Sequence, residues 1–216
     1  MLNKKTYPAA HFLNKLWAYV VFFLCLTPCK VDFRFKRNKN QAYIYCPNHT
    51  SYLDIPTLCY SLPGYFIFVG KSSLGKVPLF GYMFRTLYIS VDRSSRMSSY
   101  RSYVQSCNAI DNKRSIVLFP EGKIPAENHP KLIHFKEGAF RIAIEKQVPI
   151  VPVTIPNNWK ILPDFKEMVV NRHVMRVVFH EPIETKGMTM DDLNELRSRT
   201  FAIIDQELKK HNKHIE

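Results

Sequence analysis

The sequence predicts an α/β fold, with a mixed central sheet flanked by helices and an apolar, membrane-associated helix at the N-terminus. Apolar segments rich in aromatic and β-branched residues alternate along the chain with segments whose apolar residues recur at helical spacing. Such alternation is typical of a sheet covered by helices. The 216 residues suffice for one domain, so we divide the chain into an N-terminal segment, residues 1–38, and a folded domain, residues 39–216.

The N-terminal segment contains an uncharged apolar run from Leu16 to Cys29, with lysines before it and basic residues after it. A membrane span needs about 20 apolar residues, which this run does not reach. Positive charge on both sides gives no asymmetry that would favour crossing. We therefore expect a helix lying in one leaflet at the cytoplasmic face, with Trp17 and Tyr19 at the interface. A buried core helix and a spanning helix are the alternatives.

Five elements are predicted in the first half of the folded domain. Residues 41–47 are rich in aromatic and β-branched side chains and predict a strand. A polar turn and a helix-like apolar run, residues 52–60, follow it. Residues 65–69 predict a second strand. Residues 76–87 have apolar side chains at helical spacing, and residues 88–91 predict a short strand.

The second half continues the alternation. Residues 94–112 predict a polar amphipathic helix, and residues 115–119 an apolar strand that ends at Pro-Glu-Gly. A helix follows at residues 135–147. Strands are predicted at residues 148–155 and 174–179. The last helix, residues 189–211, begins at a threonine suited to cap it and ends in lysines, which the helix dipole favours there.

The composition restricts the class of partner. Lys and Arg number 31 against 18 Asp and Glu, a net charge of +13, which favours anionic lipid headgroups or an acidic carrier protein. No nucleic-acid-binding motif accompanies this charge, so we expect no nucleic acid partner. The five cysteines match neither a zinc nor a disulfide pattern. We therefore expect a reducing, cytosolic-side compartment.

A candidate general base lies just after the first predicted strand. His49 precedes Asp54 by five residues across a polar turn. An imidazole accepts a proton near neutral pH, and a carboxylate at its other nitrogen would orient it. Cys46 lies in an apolar strand, and Thr50 and Ser51 suit helix capping, so the chain offers no convincing nucleophile. This pattern predicts that a substrate hydroxyl attacks, in acyl or phosphoryl transfer. The alternative is a loop histidine and an Asp54 that only caps a helix.

A second polar site follows the strand at residues 115–119. Glu121 stands at its end, beside Gly122, which would let the backbone approach a ligand. Ligands gather where strands of such sheets end, so we expect Glu121 to lie near His49; a simple turn is the alternative. Lys71 also follows a strand and is able to bind an anion, unless it is a solvated surface lysine. Asp92 and Arg93 stand at the end of another strand, where a local ion pair is the simple interpretation.

Four ordered motifs resemble the glycerolipid acyltransferases of the PlsC, or lysophosphatidic-acid acyltransferase, type. The first is Asn-His, four residues, Asp, at residues 48–54. The second has a Lys, a Pro, a Gly and a closing Asp-Arg, and the third is Phe-Pro-Glu-Gly, followed by Phe-Lys-Glu-Gly-Ala. The fourth is a strand rich in Val and Pro. The residues concerned are Asn48, His49 and Asp54; Lys71, Pro78, Gly81, Asp92 and Arg93; 119–122 and 135–139; and 148–153.

This resemblance implies a membrane-surface acyltransferase of phospholipid biosynthesis, with 1-acylglycerol 3-phosphate as the acceptor and no metal or redox cofactor. His49 would deprotonate the acceptor hydroxyl, and Asp54 would orient His49. The acyl donor would be a thioester of coenzyme A or of acyl carrier protein. The acceptor site would use Glu121 and Gly122 to shape the pocket, Lys71 and Arg93 for the phosphate, and Pro149 for the pocket wall. We expect backbone amides after His49 to stabilise the oxyanion.

One departure from the family concerns the acceptor. Family members commonly continue the third motif as Thr-Arg-Ser, with the Arg directed to the acceptor phosphate, whereas this chain has Lys123-Ile124-Pro125. An apolar Ile124 makes no bidentate contact with a phosphate. Either Lys123 or Lys136 supplies the charge, or the acceptor is a phosphate-free lysolipid such as a lyso-aminolipid. A thioesterase or lipid hydrolase, and a non-enzymatic basic membrane-binding protein, are the rival functions.

Overall fold

A computed structural model of the chain describes residues 7–72, 81, 84, 87–92, 94–125, 129–163 and 169–212. Strands and helices alternate along this part of the chain. The strands are β1 (Cys29–Phe33), β2 (Ile44–Pro47), β3 (Phe66–Lys71), β4 (Ile89–Val91), β5 (Ser115–Leu118), β6 (Ile150–Thr154) and β7 (Met175–Phe179). The helices are α1 (Tyr7–Leu24), α2 (Asp54–Ser61), α3 (Arg96–Asp111), α4 (Gly138–Lys146), α5 (Asn158–Ile161) and α6 (Leu193–His211), the last preceded by a 3-10 turn, Met190–Asp192.

The strands form a single seven-stranded sheet in the order β1-β7-β6-β2-β5-β3-β4. Neighbouring strands are parallel except β6 and β7, which pair antiparallel, so β1 and β7 run opposite to the other five. The predicted mixed sheet flanked by helices is confirmed. We call the edge where β2, β3, β5 and β6 end the carboxyl edge. The turns that follow these four strands all lie there, which brings residues distant in sequence together.

Two elements were not predicted. β1 lies within residues assigned to the N-terminal segment, and Cys29 belongs to this strand rather than to the end of an apolar helix. β1 is a largely exposed edge strand that pairs with β7, so the division at residue 38 cuts through the sheet. The short helix α5 was also missed, because four residues carry no helical periodicity. The predicted helix at residues 76–87 falls mostly outside the described residues.

The N-terminal helix α1 packs one side on α2 and leaves the other open. Ala18 and Phe22 are buried, and Tyr19 contacts Tyr60 with ring centroids 4.6 Å apart. Trp17, expected at a membrane interface, packs partly buried against the core. None of the helices in the described part of the chain meets the length and hydropathy that a membrane crossing requires. The exposed apolar side chains of α1 are Phe12, Leu13, Leu16, Val20, Phe23 and Leu24.

An ionic network fastens the last helix to the edge of the sheet. Arg34, just after β1, donates two hydrogen bonds of 2.9 and 2.7 Å to the carboxylate of Glu207 on α6. The bonds from Arg34 lower the pKa of Glu207 to about 2. His180 lies beside Arg34 and pairs through Nε2 with the Thr154 hydroxyl at 2.8 Å. Burial, assisted by the charge of Arg34, lowers the pKa of His180 to about 4.

Candidate active site

His49 and Asp54 form a hydrogen-bonded pair at the carboxyl edge. The turn after β2 folds back on itself, so that His49 Nδ1 lies 2.9 Å from Asp54 Oδ2, on the first residue of α2. Asp54 is fully buried, whereas the His49 side chain keeps 15% of its surface exposed. Asp54 Oδ2 already accepts two backbone N–H groups, so it acts as an acceptor and Nδ1 carries the proton. Nε2 then has a free lone pair, and among the described residues no group donates to it.

Three further donors hold the carboxylate of Asp54. The amides of Thr50 and Ser51 donate to Oδ2 at 2.7 and 2.9 Å, and Asn158 Nδ2 donates to Oδ1 at 2.8 Å. Together with His49 these donors satisfy a charge that would otherwise be costly to bury. The expectation that amides after His49 form an oxyanion site is wrong for Thr50 and Ser51, because Asp54 occupies both.

The polar side chains of the turn do not cap α2. The residue before the helix is Leu53, which has no side-chain cap bond. Ser51 Oγ accepts from the Leu53 amide at 3.2 Å and donates to the Leu162 carbonyl. The Thr50 hydroxyl is buried, with no partner among the described residues. The prediction that Thr50 and Ser51 act as N-caps is therefore wrong, and so is the alternative in which Asp54 caps the helix.

Contacts from two neighbouring strands fix the turn. The Asn48 side chain donates to the Ile155 carbonyl at 3.0 Å and accepts from the Ile155 amide at 2.7 Å, which joins the ends of β2 and β6. Phe119, just after β5, stacks on the His49 ring with centroids 4.0 Å apart. Backbone, carboxylate and aromatic contacts thus leave the imidazole little freedom to turn away from the carboxyl edge.

Glu121 meets His49 at this edge, as the sequence predicts. Its Oε1 accepts the backbone N–H of His49 at 2.8 Å, and its Oε2 accepts that of Ile133 at 3.2 Å. Only 2% of Glu121 is exposed. Burial raises the pKa of Glu121 to about 7. The hydrogen bonds from the two backbone amides oppose this rise, and the negative charge of Asp54 adds to it. With both oxygens occupied, Glu121 joins the turn that carries His49 to the segment around Ile133.

Gly122 and Lys136 are in close contact beside Glu121. Gly122 has φ +74°, a left-handed conformation that favours glycine, and a Cβ there would lie 3.1 Å from Lys136 Cε and 3.3 Å from Nζ. The Lys136 amide donates to the Pro120 carbonyl at 2.8 Å. The lysine side chain therefore lies against Gly122, beyond the end of β5. Lys123 is exposed one residue farther along the chain.

Two of the other predicted binding residues, Lys71 and Pro149, do not join this group. Lys71 is exposed at the end of β3, two strands from β2, roughly 10 Å across the sheet. Arg93 and Pro78 lie outside the described residues. Pro149 is buried at the opposite edge, where its carbonyl accepts the Ile44 amide at the start of β2. The expectation that Pro149 forms the pocket wall beside His49 is not met, because it precedes β6 instead of following it.

Sequence reasoning missed Asn158 and His129. Asn158 belongs to a Pro-Asn-Asn-Trp turn after β6, and the rule that directed attention to strand ends applies to it as well. His129 stacks on Trp159, and its Nδ1 is buried with no partner in the described ranges. Burial lowers the pKa of His129, and the charge of Asp54 opposes this shift. Cys46 is fully buried, which raises its thiol pKa far above the usual value, in agreement with an inert packing role.

Comparisons with known proteins agree with these features. A family model described as acyltransferase matches residues 30–156. The chain is 31% identical over 198 residues to a 1-acyl-sn-glycerol-3-phosphate acyltransferase of Haemophilus influenzae, covering 85% of this chain and 79% of that protein. It is 30% identical over 200 residues to a chloroplast protein of the same name from Arabidopsis thaliana, covering 90% of this chain and 54% of that one.

A solved structure has a similar fold. The crystal structure of the 1-acyl-sn-glycerophosphate (LPA) acyltransferase PlsC from Thermotoga maritima aligns with a TM-score of 0.82 at 21% identity, and the match covers 100% of this chain and 86% of that one. The chain spans about half the length of the chloroplast relatives that it matches. The likeness to the bacterial structure concerns the fold.

Proposed function

The chain belongs to the acyltransferase family, and we propose that it moves a fatty acyl group from a thioester to the hydroxyl of a lysolipid in phospholipid biosynthesis. The observation that carries this proposal is the His49–Asp54 pair at the carboxyl edge. It supplies a base with a free Nε2. The buried Cys46 is the nearest thiol along the chain and is not suited to attack. The attacking oxygen therefore comes from the acceptor.

The reaction follows from this geometry. The acceptor hydroxyl gives its proton to His49 Nε2 while its oxygen bonds to the thioester carbonyl carbon. The resulting tetrahedral intermediate collapses, the carbon–sulfur bond breaks, and the imidazolium returns the proton to the departing thiolate. Asp54 stabilises the imidazolium between these two steps without itself taking the proton. Glu121 and Asn48 keep the backbone of His49 in place throughout.

The acceptor that we favour is 1-acylglycerol 3-phosphate, the substrate after which these relatives are named. Lys136, beside Gly122, and the exposed Lys123 are the positive charges that we assign to its phosphate, since both lie close to Glu121 in the chain or in space. Ile124 favours a second candidate, a phosphate-free lysolipid such as a lyso-aminolipid, because the family's phosphate-binding Arg is missing there. For the donor we propose a thioester of coenzyme A or of acyl carrier protein; both are acidic, and the net charge of +13 suits either.

We further propose that the protein rests on the cytoplasmic face of an anionic membrane. The open face of α1 ends in Phe23 and Leu24, which are 76% and 73% exposed. The chain then reaches β1, which starts at the carboxyl edge because it runs opposite to β2. Val169 and Val170, also exposed, precede β7 at the same edge. This apolar surface supports docking in one leaflet, where a lysolipid would meet His49 without leaving the bilayer.

An acceptor panel tests the reaction. The purified chain would be incubated with a labelled acyl thioester of coenzyme A or of carrier protein and with lysolipids that bear or lack a phosphate. We expect acylated lysolipid as the product, and His49→Ala should lower its rate by about 10²-fold or more. His134→Ala, an exposed histidine, is the matched control. Free fatty acid as the sole product would favour a thioesterase, and no turnover across the panel would favour a non-enzymatic membrane-binding protein.

Lys136→Met separates the two acceptor classes. If Lys136 contacts the acceptor phosphate, the variant should raise KM for phosphate-bearing lysolipids and leave phosphate-free ones unaffected. Lys131→Met, on the same segment and also exposed, is the control. Equal effects of Lys136→Met on both classes would contradict a phosphate contact.

A further inference from the structure

We propose that Asn158 is a positioning residue for the pair formed by His49 and Asp54. Its side-chain amide holds Asp54 Oδ1, so that Asp54 Oδ2 stays directed at His49. The inference rests on the proposed function for its catalytic consequence, whereas the contact itself is independent of any substrate. Asn158 lies two residues beyond the part of the chain matched by the family model, which ends at residue 156.

The orientation of this amide follows from its neighbours. Asn158 is fully buried at the start of α5, and its Nδ2 donates to Asp54 Oδ1 and to Thr57 Oγ1, both at 2.8 Å. The Thr57 hydroxyl gives its own proton to the Leu53 carbonyl at 2.8 Å. Both neighbours are therefore acceptors, and only the NH₂ group satisfies them. A flipped amide would set its carbonyl oxygen against a carboxylate and a hydroxyl lone pair.

This arrangement leaves one polar atom unsatisfied. Asn158 Oδ1 is buried and has no partner among the described residues. An orphaned buried acceptor lowers stability, and local costs of this kind are typical of functional sites. The amide therefore satisfies Asp54 and Thr57 through its NH₂ group while its own oxygen stays unpaired.

The chemistry of a neutral donor suits this role. Asp54 Oδ2 accepts from His49 and from two backbone amides, and Oδ1 receives Asn158 from the opposite side. With both oxygens held, the carboxylate cannot rotate about its Cβ–Cγ bond and lose the bond to Nδ1. Because the amide is uncharged, it orients Asp54 without adding a positive charge that would compete with the imidazolium for it.

Asn158→Asp provides a test with a specific pH signature. Two carboxyl groups at this distance hold one proton between them when the pH is low enough. The protonated acid at residue 158 then donates to Asp54 as the amide does, whereas loss of that proton sets two negative charges against each other. We expect kcat to fall about tenfold or more at pH 8, with KM little changed, and to recover towards wild type as the pH is lowered. Asn158→Ala should be impaired at every pH.

Asn157→Asp is the matched control, because it makes the same chemical change one residue earlier. Asn157 donates to the Val174 carbonyl at 3.3 Å and not to Asp54. Its kcat relative to wild type should not vary with pH. A pH-independent deficit in Asn158→Asp, equal to that of Asn158→Ala, would reduce Asn158 to a packing role, and a kcat within twofold of wild type in both variants would overturn the proposal.

A spectroscopic measurement keeps the inference separate from the reaction. The proton shared between His49 Nδ1 and Asp54 should give a downfield imidazole resonance by NMR. We expect it in wild type and in Asn157→Asp, and we expect Asn158→Ala to lose it while circular dichroism shows an intact fold. A resonance that persists in Asn158→Ala would refute the positioning role. If wild type shows the resonance but transfers no acyl group, the proposed function fails while this inference stands.

Discussion

Glu121→Gln should change how the stability of the protein depends on pH. Buried Glu121 has a pKa of about 7, above its ordinary value of 4.5. Between these two pH values the folded state retains a proton that the unfolded state has released, so the free energy of unfolding falls as the pH rises and levels off above pH 7. The pKa difference corresponds to about 3 kcal/mol. The glutamine variant has no titrating group there and lacks this decrease.

His180 acts in the opposite direction over a similar range. Its pKa is lowered to about 4 from an ordinary 6.5, so the unfolded state takes up a proton first as the pH falls. Stability from this residue is present above pH 6.5 and is lost on acidification towards pH 4, again by about 3 kcal/mol. In the wild type the two slopes nearly cancel between pH 4.5 and 6.5. In Glu121→Gln the contribution of His180 is unopposed, and stability should rise with pH across that interval.

Urea unfolding at a series of pH values from 4 to 8 measures the free energy of unfolding of wild type and of Glu121→Gln as a function of pH. The difference in free energy of unfolding between wild type and variant should change by about 3 kcal/mol from pH 4 to pH 8, and the variant should gain relative stability at the higher pH. The NH₂ group of glutamine cannot accept one of the two backbone N–H groups that Glu121 accepts, so the variant also loses about 1–3 kcal/mol of stability at every pH. Glu137→Gln, an exposed carboxyl, is the control. A wild-type-minus-variant difference that is the same at pH 4 and pH 8 would refute the reasoning.

Two further predictions concern the edges of the fold. Glu207→Gln removes the charged partner of Arg34, whose hydrogen bonds lower the pKa of Glu207 to about 2. In thermal unfolding, wild type should be more stable than the variant above pH 4.5 and should lose that advantage as the pH falls towards 2. An advantage that is unchanged at pH 2.5 would contradict this prediction. Phe23→Asp should weaken sedimentation with anionic vesicles, whereas the same substitution at Tyr100, another exposed aromatic residue, on α3, should not. Equal effects of the two substitutions would argue against docking through α1.

The fold and the central pair were predictable because they depend on local patterns. Strand periodicity and the shared edge of parallel strands were enough to bring His49 and Glu121 together. The strand-end rule applies to Asn158 as well, but its bond to Asp54 was not predictable, since the two residues are 104 positions apart. β1 was missed because it is an exposed edge strand, and its pairing partner β7 lies even farther away in sequence. The oxyanion expectation failed because the hydrogen bonds of Thr50 and Ser51 depend on where Asp54 turns its carboxylate.

The proposed base, His49, and its carboxylate partner, Asp54, come from one uninterrupted stretch of six residues, and the carboxylate also binds two backbone amides between them. Many hydrolytic sites assemble their members from distant loops, and a slight shift between those loops separates them. Here His49 and Asp54 belong to one turn, so bending of the sheet or displacement of a helix by a bulky substrate would move both residues together. Such a site tolerates movement of its surroundings while keeping its internal alignment.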